Sequence, residues 1–124
     1  MSKTVLVVDD SRVSRMMLSK MINMVASGDW QITEAEDGQQ AVEKATAETP
    51  DLIVMDINMP VMDGFEAVEI LRPQLPDTTM ILLSANIQSS SQARAEELGV
   101  HFIAKPITPA VAEKALAIWS RENE

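Results

Sequence analysis

Five short apolar runs, each followed by a stretch of helical spacing, constrain this chain more than any other feature. The runs are Thr4 to Val8, Trp30 to Ala35, Leu52 to Met55, Thr79 to Leu83 and Val100 to Ala104. They are too short for helices and rich in β-branched residues, so they read as strands. The second alternates, as a strand with one wetter face does; the third is apolar throughout, as a doubly covered strand is. Strands alternating with helices, five times over, predict an α/β domain with a parallel sheet covered on both faces and right-handed crossovers.

The helical segments follow from the same pattern. Ser11 is a plausible N-cap for the first, in which Val13, Met16, Met17, Met21, Met24 and Val25 recur at helical spacing to about Ala26, the methionines reading as flexible core filler. Ala41, Val42 and Ala45 mark the second helix, which ends before Pro50. The third starts near Asp63, turns Phe65, Val68 and Leu71 inward and ends at Pro73. The fourth, 88 to 98, is polar, with Ala93, Ala95 and Leu98 as its few apolar positions and Gly99 closing it. The last, from Pro109 to Ser120, buries Val111, Ala115, Ile118 and Trp119 and leaves Arg121 to Glu124 as a frayed polar tail.

In a parallel sheet all C-terminal strand ends share one edge, where ligands bind. The first strand ends in Asp9-Asp10, the third in Asp56, the fourth in Ser84-Ala85-Asn86 and the fifth in Lys105-Pro106. Three carboxylates in one cleft repel each other, and a hard divalent cation relieves that. Oxygen donors with no cysteine favour Mg²⁺ over Zn²⁺. An acidic cleft holding Mg²⁺ and a lysine suits a phosphoryl group arriving at a carboxylate nucleophile. The Ser84 hydroxyl can then donate to a phosphoryl oxygen, with space left by Ala85.

Composition narrows the partners. A chain of 124 residues suits one domain, 1–124, with an ordinary core. A net charge of −9 argues against a nucleic-acid surface, and no apolar run is long enough to span a membrane. With no cysteine, and a first strand beginning almost at Met1, a cytoplasmic location is expected.

Taken together, Asp9-Asp10, Asp56, the turn Met59-Pro60…Asp63-Gly64, Ser84-Ala85 and Lys105-Pro106 resemble the response-regulator receiver domains of two-component signalling, over nearly the whole chain. The resemblance implies a flavodoxin-like (βα)5 sandwich with strand order 2-1-3-4-5. It implies that Asp56 accepts a phosphoryl group from a sensor histidine kinase or phosphotransfer protein. Asp10 and Asp56 then ligate Mg²⁺ directly, with the backbone carbonyl of Asn58, while Asp9 acts mainly through water. Lys105 pairs with phosphoryl oxygens, Ser84 is the switch hydroxyl and Phe102 the switch aromatic. A cis Lys105–Pro106 bond is implied as well, and a protein target on the face of the fourth helix, fifth strand and fifth helix. The fifth strand and following helix lack the charged dimer face of the winged-helix regulators. His101, near the start of its strand, is placed away from the reactive edge and reads as structural or surface.

Three other readings share parts of this pattern. An aspartate-nucleophile phosphohydrolase needs an acid two residues past the nucleophile, where this chain has Asn58, so the expectation is a signalling protein and no enzyme. A flavin module needs a phosphate loop after the first strand, where Asp9 and Asp10 would repel phosphate. The third is a receiver excised from a larger regulator.

Overall fold

The computed structural model describes residues 3–85 and 88–123. Asn86, expected at a strand end, and Glu124 of the expected tail lie outside them. Strands β1 (Lys3–Val8), β2 (Trp30–Ala35), β3 (Leu52–Asp56), β4 (Thr79–Ser84) and β5 (His101–Ala104) alternate with helices α1 (Arg12–Val25), α2 (Gly38–Glu48), α3 (Gly64–Gln74), α4 (Ser89–Glu97) and α5 (Pro109–Glu122). The five strands form one parallel sheet in the order β2-β1-β3-β4-β5, as the resemblance implied.

Side-chain alternation along the strands splits the core in two. Val5, Val7, Leu52, Val54, Ile81 and Leu83 point to one face, under Leu18 and Ile22 of α1 and Val111, Ala112, Ala115 and Ile118 of α5. Leu6, Val8, Ile53, Met55, Met80 and Leu82 point to the other, under α2, α3 and α4. The central strand β3 is buried from end to end, which is why its sequence carries no alternation.

Register brings the strand ends level. Val8 pairs with Met55, so Asp9 emerges beside Asp56. Asp56 pairs with Leu83, and Ser84 with Ala104, so Ser84 and then Lys105 follow one step further along the same edge.

Three local expectations are corrected. The first concerns α1, whose sheet-facing stripe is Arg15, Leu18 and Ile22; Val13, Met16, Met17 and Met24 lie exposed on the opposite face. Two apolar stripes run along this helix, and a charge at the start of the inner one disguised it. Second, α3 passes Pro73 to end at Gln74, because a proline in the last turn removes one amide while Leu75 N–H still donates to Leu71 O at 2.9 Å. Finally, α5 runs to Glu122, whose Oε1 accepts from Thr79 Oγ1 at 2.7 Å, so the tail is tethered and not frayed there.

Candidate functional site: an acidic strand edge closed by a lysine

Asp9 and Asp56 are both buried, at 4% and 6% exposure, whereas Asp10 stands exposed at the mouth. Oxygens from all three carboxylates lie within 4.8 Å of one another. Lys105 reaches across from the end of β5, with Nζ 3.1 Å from Asp9 Oδ2 and 3.5 Å from Asp56 Oδ1. The Lys105–Pro106 peptide is cis, as the resemblance implied. Ser84 is buried at the end of β4, and its carbonyl accepts from the Lys105 amide at 2.9 Å.

The site's electrostatics follow from burial. The Asp56 carboxyl is held above the ordinary carboxylate range, first by burial and further by the charge of Asp9; Lys105 and the Asn58 amide only partly offset this. Burial would lower the Lys105 ammonium, but the hydrogen bond to Asp9 and the field of Asp56 outweigh it and hold the group above its usual value. Three carboxylates facing one ammonium leave a cluster with an excess of two negative charges when all are ionised. Hard oxygen donors in that arrangement fit a divalent cation of the Mg²⁺ type.

The loop after β3 shapes the floor. Gly64 N–H donates to Ile57 O at 2.9 Å, and α3 starts so close to the strand that a Cβ on Gly64 would lie 2.7 Å from Asp56 O. Asp63 caps α3 in a reciprocal box with Glu66. Val61 sits at φ +69°, a conformation that a β-branched residue adopts only under constraint, and Met62 N–H closes the turn onto Pro60 O at 2.7 Å. Asn58 is exposed beside it. Phe102, on β5, is half-buried against the cluster under α2, α3 and α4. His101 lies at the opposite end of β5, with Nε2 2.5 Å from Glu122 Oε2.

Sequence reasoning missed Arg15. This side chain is 9% exposed; its Nη1 donates to the backbone oxygen of Asp9 at 2.7 Å and its Nε to Glu34 Oε1 at 3.0 Å. The available signal was positional: Arg15 precedes Leu18 and Ile22 by three and seven residues, so the core stripe of α1 contains a charge.

Residues 5–117 match the family model described as the response regulator receiver domain. The chain is 39% identical over 107 residues to the chemotaxis protein CheY of Bacillus subtilis, covering 86% of this chain and 88% of that one. It is 34% identical over 128 residues to the hybrid signal transduction histidine kinase A of Dictyostelium discoideum, covering 98% of this chain but only 6% of that protein's length. Among solved structures it resembles the chemotaxis protein CheY4 of Vibrio cholerae, with a TM-score of 0.85, 30% identity, and 95% of this chain and 98% of that one covered. No described helix is long and apolar enough to cross a membrane. A family model spanning nearly the whole chain, relatives of its own length and the shared sheet order agree: the chain belongs to the response regulator receiver domains of two-component signalling.

Proposed function

We propose that Asp56 is the phosphoacceptor of a single receiver unit, residues 1–124, which takes its phosphoryl group from the phosphohistidine of a sensor kinase or phosphotransfer protein. One observation carries this reading: Asp56 is a buried carboxylate at a strand end, 3.5 Å from a lysine ammonium and beside two further carboxylates. In the transfer, an Asp56 oxygen bonds to phosphorus as the phosphorus–nitrogen bond breaks, and the imidazole leaves with that bond's electron pair. A carboxylate held above its ordinary pKa is a stronger base and so a better nucleophile once ionised. Lys105 would meet the incoming phosphoryl oxygens as a fixed cation.

Asp10, Asp56 and the carbonyl of Asn58 would hold Mg²⁺ directly, with Asp9 through water, and the ion would neutralise charge on the phosphoryl group. Ser84 is the hydroxyl that would then donate to the phosphoryl group, drawing β4 toward the site and making room for Phe102 to turn inward. The output would pass to a protein target on the α4–β5–α5 face. Because the Asn58 amide cannot serve as a general acid-base, the chain turns over only its own phosphoaspartate. Its donor and Mg²⁺ both point to the cytoplasm.

The exposed face of α1 supports a protein donor. Val13, Met16 and Met17, 64%, 58% and 43% exposed, stand on the helix's outer face. Met17 continues into an apolar hollow with Ala85, Pro106 and Ile107 next to Lys105. Flexible methionines suit a partner helix that must bring its histidine to the cleft. The test is intact mass after incubation with a small phosphodonor and Mg²⁺. Wild type should gain one phosphoryl group and Asp56→Asn none; equal gain in both would overturn the assignment.

A further inference from the structure

A guanidinium facing the sheet is costly to bury, and a methionine or leucine in its place would pack without that cost. Arg15 nevertheless occupies the inner stripe of α1 and directs its shortest hydrogen bond, 2.7 Å, at the Asp9 carbonyl oxygen. Glu34, at 3.0 Å, and Glu36, at 3.9 Å, hold the other side of the fork. That carbonyl belongs to the peptide plane joining Asp9 to Asp10, so fixing it fixes the direction in which the next residue leaves the strand. Asp9 is anchored by its own contacts: its amide on Ala35 O at 3.2 Å, Oδ1 on Ser11 N–H at 2.8 Å, and Oδ2 on Lys105. Among the described residues the Asp10 carboxylate makes no hydrogen bond or ion pair, so only its backbone aims it.

We infer that Arg15 is a positioning residue for the cation site: it locks the Asp9–Asp10 peptide so that the exposed Asp10 carboxylate is held toward Asp9 and Asp56. This rests on the proposed Mg²⁺ site. The sign of the effect separates position from charge. Acting only as a nearby cation, Arg15 would repel Mg²⁺, and its removal would tighten binding. Acting as a clamp, its removal weakens binding, by about tenfold or more if it follows other groups that orient metal ligands.

The test is Mg²⁺ affinity by calorimetry for wild type, Arg15→Met, Arg15→Lys and Glu34→Gln, with amide hydrogen exchange of Asp10 and Ser11 measured in chelator. Arg15→Met should bind about tenfold more weakly and exchange faster at both amides. Arg15→Lys, with one ammonium to place, should fall between it and wild type, and it decides the matter should the methionine variant not fold. Glu34→Gln keeps the Asp9 contact and should stay within about twofold of wild type. Unchanged or tighter Mg²⁺ binding in the Arg15 variants, or an equal loss in Glu34→Gln, overturns the inference. Wild type that takes up no Mg²⁺ would sink the metal reading instead, and the exchange rates would still judge the clamp.

Discussion

The two halves of the reactive edge are held very differently. On the β1–β3 side every polar backbone and side-chain atom of Asp9 has a partner: Ala35, Arg15, Ser11 and Lys105. Asp56 sits on the fully buried β3, with the start of α3 pressed against its carbonyl. On the β4–β5 side, α4 buries Ala95 alone among its nine residues, and its N-cap, Gln88, makes no capping bond. Beyond that, the helix is tied to α3 by Arg94, which pairs with Glu69 and lies over the Phe65 ring at 4.5 Å. Bond-making needs fixed geometry, whereas a reporting surface needs a second arrangement within reach of a small free energy. On the proposed function, the buried contacts are placed accordingly.

The sharpest way to break the rigid half is Gly64→Ala. The new methyl would meet backbone, with Asp56 O at 2.7 Å and Ile57 Cα at 3.0 Å, and neither can yield without moving the strand end. A stability loss of about 2–3 kcal/mol in urea unfolding is expected, with slower phosphorylation of whatever folds. Loss below about 0.5 kcal/mol would mean that the loop is softer than its contacts imply.

Asp56→Asn should act in the opposite direction on stability. The folded protein holds this carboxyl above its ordinary 3.8, through burial first and Asp9 second, so the folded state takes up its proton more readily than the unfolded chain. The contribution of Asp56 to stability therefore falls as pH rises from 3.8 through the raised folded value, then levels off. The asparagine variant lacks that fall. Without Mg²⁺ at pH 7 it should be more stable by on the order of 1 kcal/mol, a Tm gain of about 4 °C, while losing phosphorylation. A lower Tm in chelator would show that the pairing with Lys105 outweighs the repulsion.

The same contrast explains what could be read in the sequence. The strands and their polar ends were legible because doubly covered β3 and its neighbours are apolar runs cut off abruptly by polar or charged residues. The strand order was not: any open parallel sheet has the same alternation, and 2-1-3-4-5 came only with the family resemblance. At the site, Asp9 and Asp10 are adjacent identical residues, yet one is buried and the other exposed. The register between Val8 and Met55 sets Asp9 level with Asp56, and no sequence pattern announces it. Arg15 escaped notice because a charge in a helix reads as solvent-facing until the acceptor it serves, a backbone oxygen with no sequence signature, is in view. Glu122 escaped for the same reason, its partners lying on two strands far away in the chain.

Arg94→Ala tests the loosely held half. The ion pair is half-exposed, and ring stacking adds little more than an ordinary contact, so a global loss of about 0.5–1 kcal/mol is expected. The informative readout is local. Amides of α4 should exchange about threefold faster or more, while those of β1 and β3 keep their wild-type rates. Equal acceleration in both halves would erase the distinction drawn between them.

The smallest effect is expected at the far end of the loosely held half. Glu122, in the last turn of α5, accepts from Thr79 at the start of β4 and lies against His101 at the start of β5. It thus fastens both strands at the edge opposite the carboxylates, leaving any displacement to their reactive ends. Burial would raise its carboxyl, but the hydrogen bonds from His101 and Thr79, with Arg72 nearby, prevail and hold it below the usual 4.5. A carboxyl lowered on folding contributes stability at pH values above 4.5, lost as pH falls through its folded value. Since the side chain is 42% exposed, water and salt screen most of this. Glu122→Gln should therefore cost about 0.5 kcal/mol at neutral pH and nothing in strong acid, as measured by urea unfolding at both pH values. Hydrogen exchange should quicken at Thr79 and His101 and stay unchanged at Asp9. If the loss were as large in acid as at neutral pH, Glu122 would be acting through packing alone, and the fastening by its charge would be ruled out.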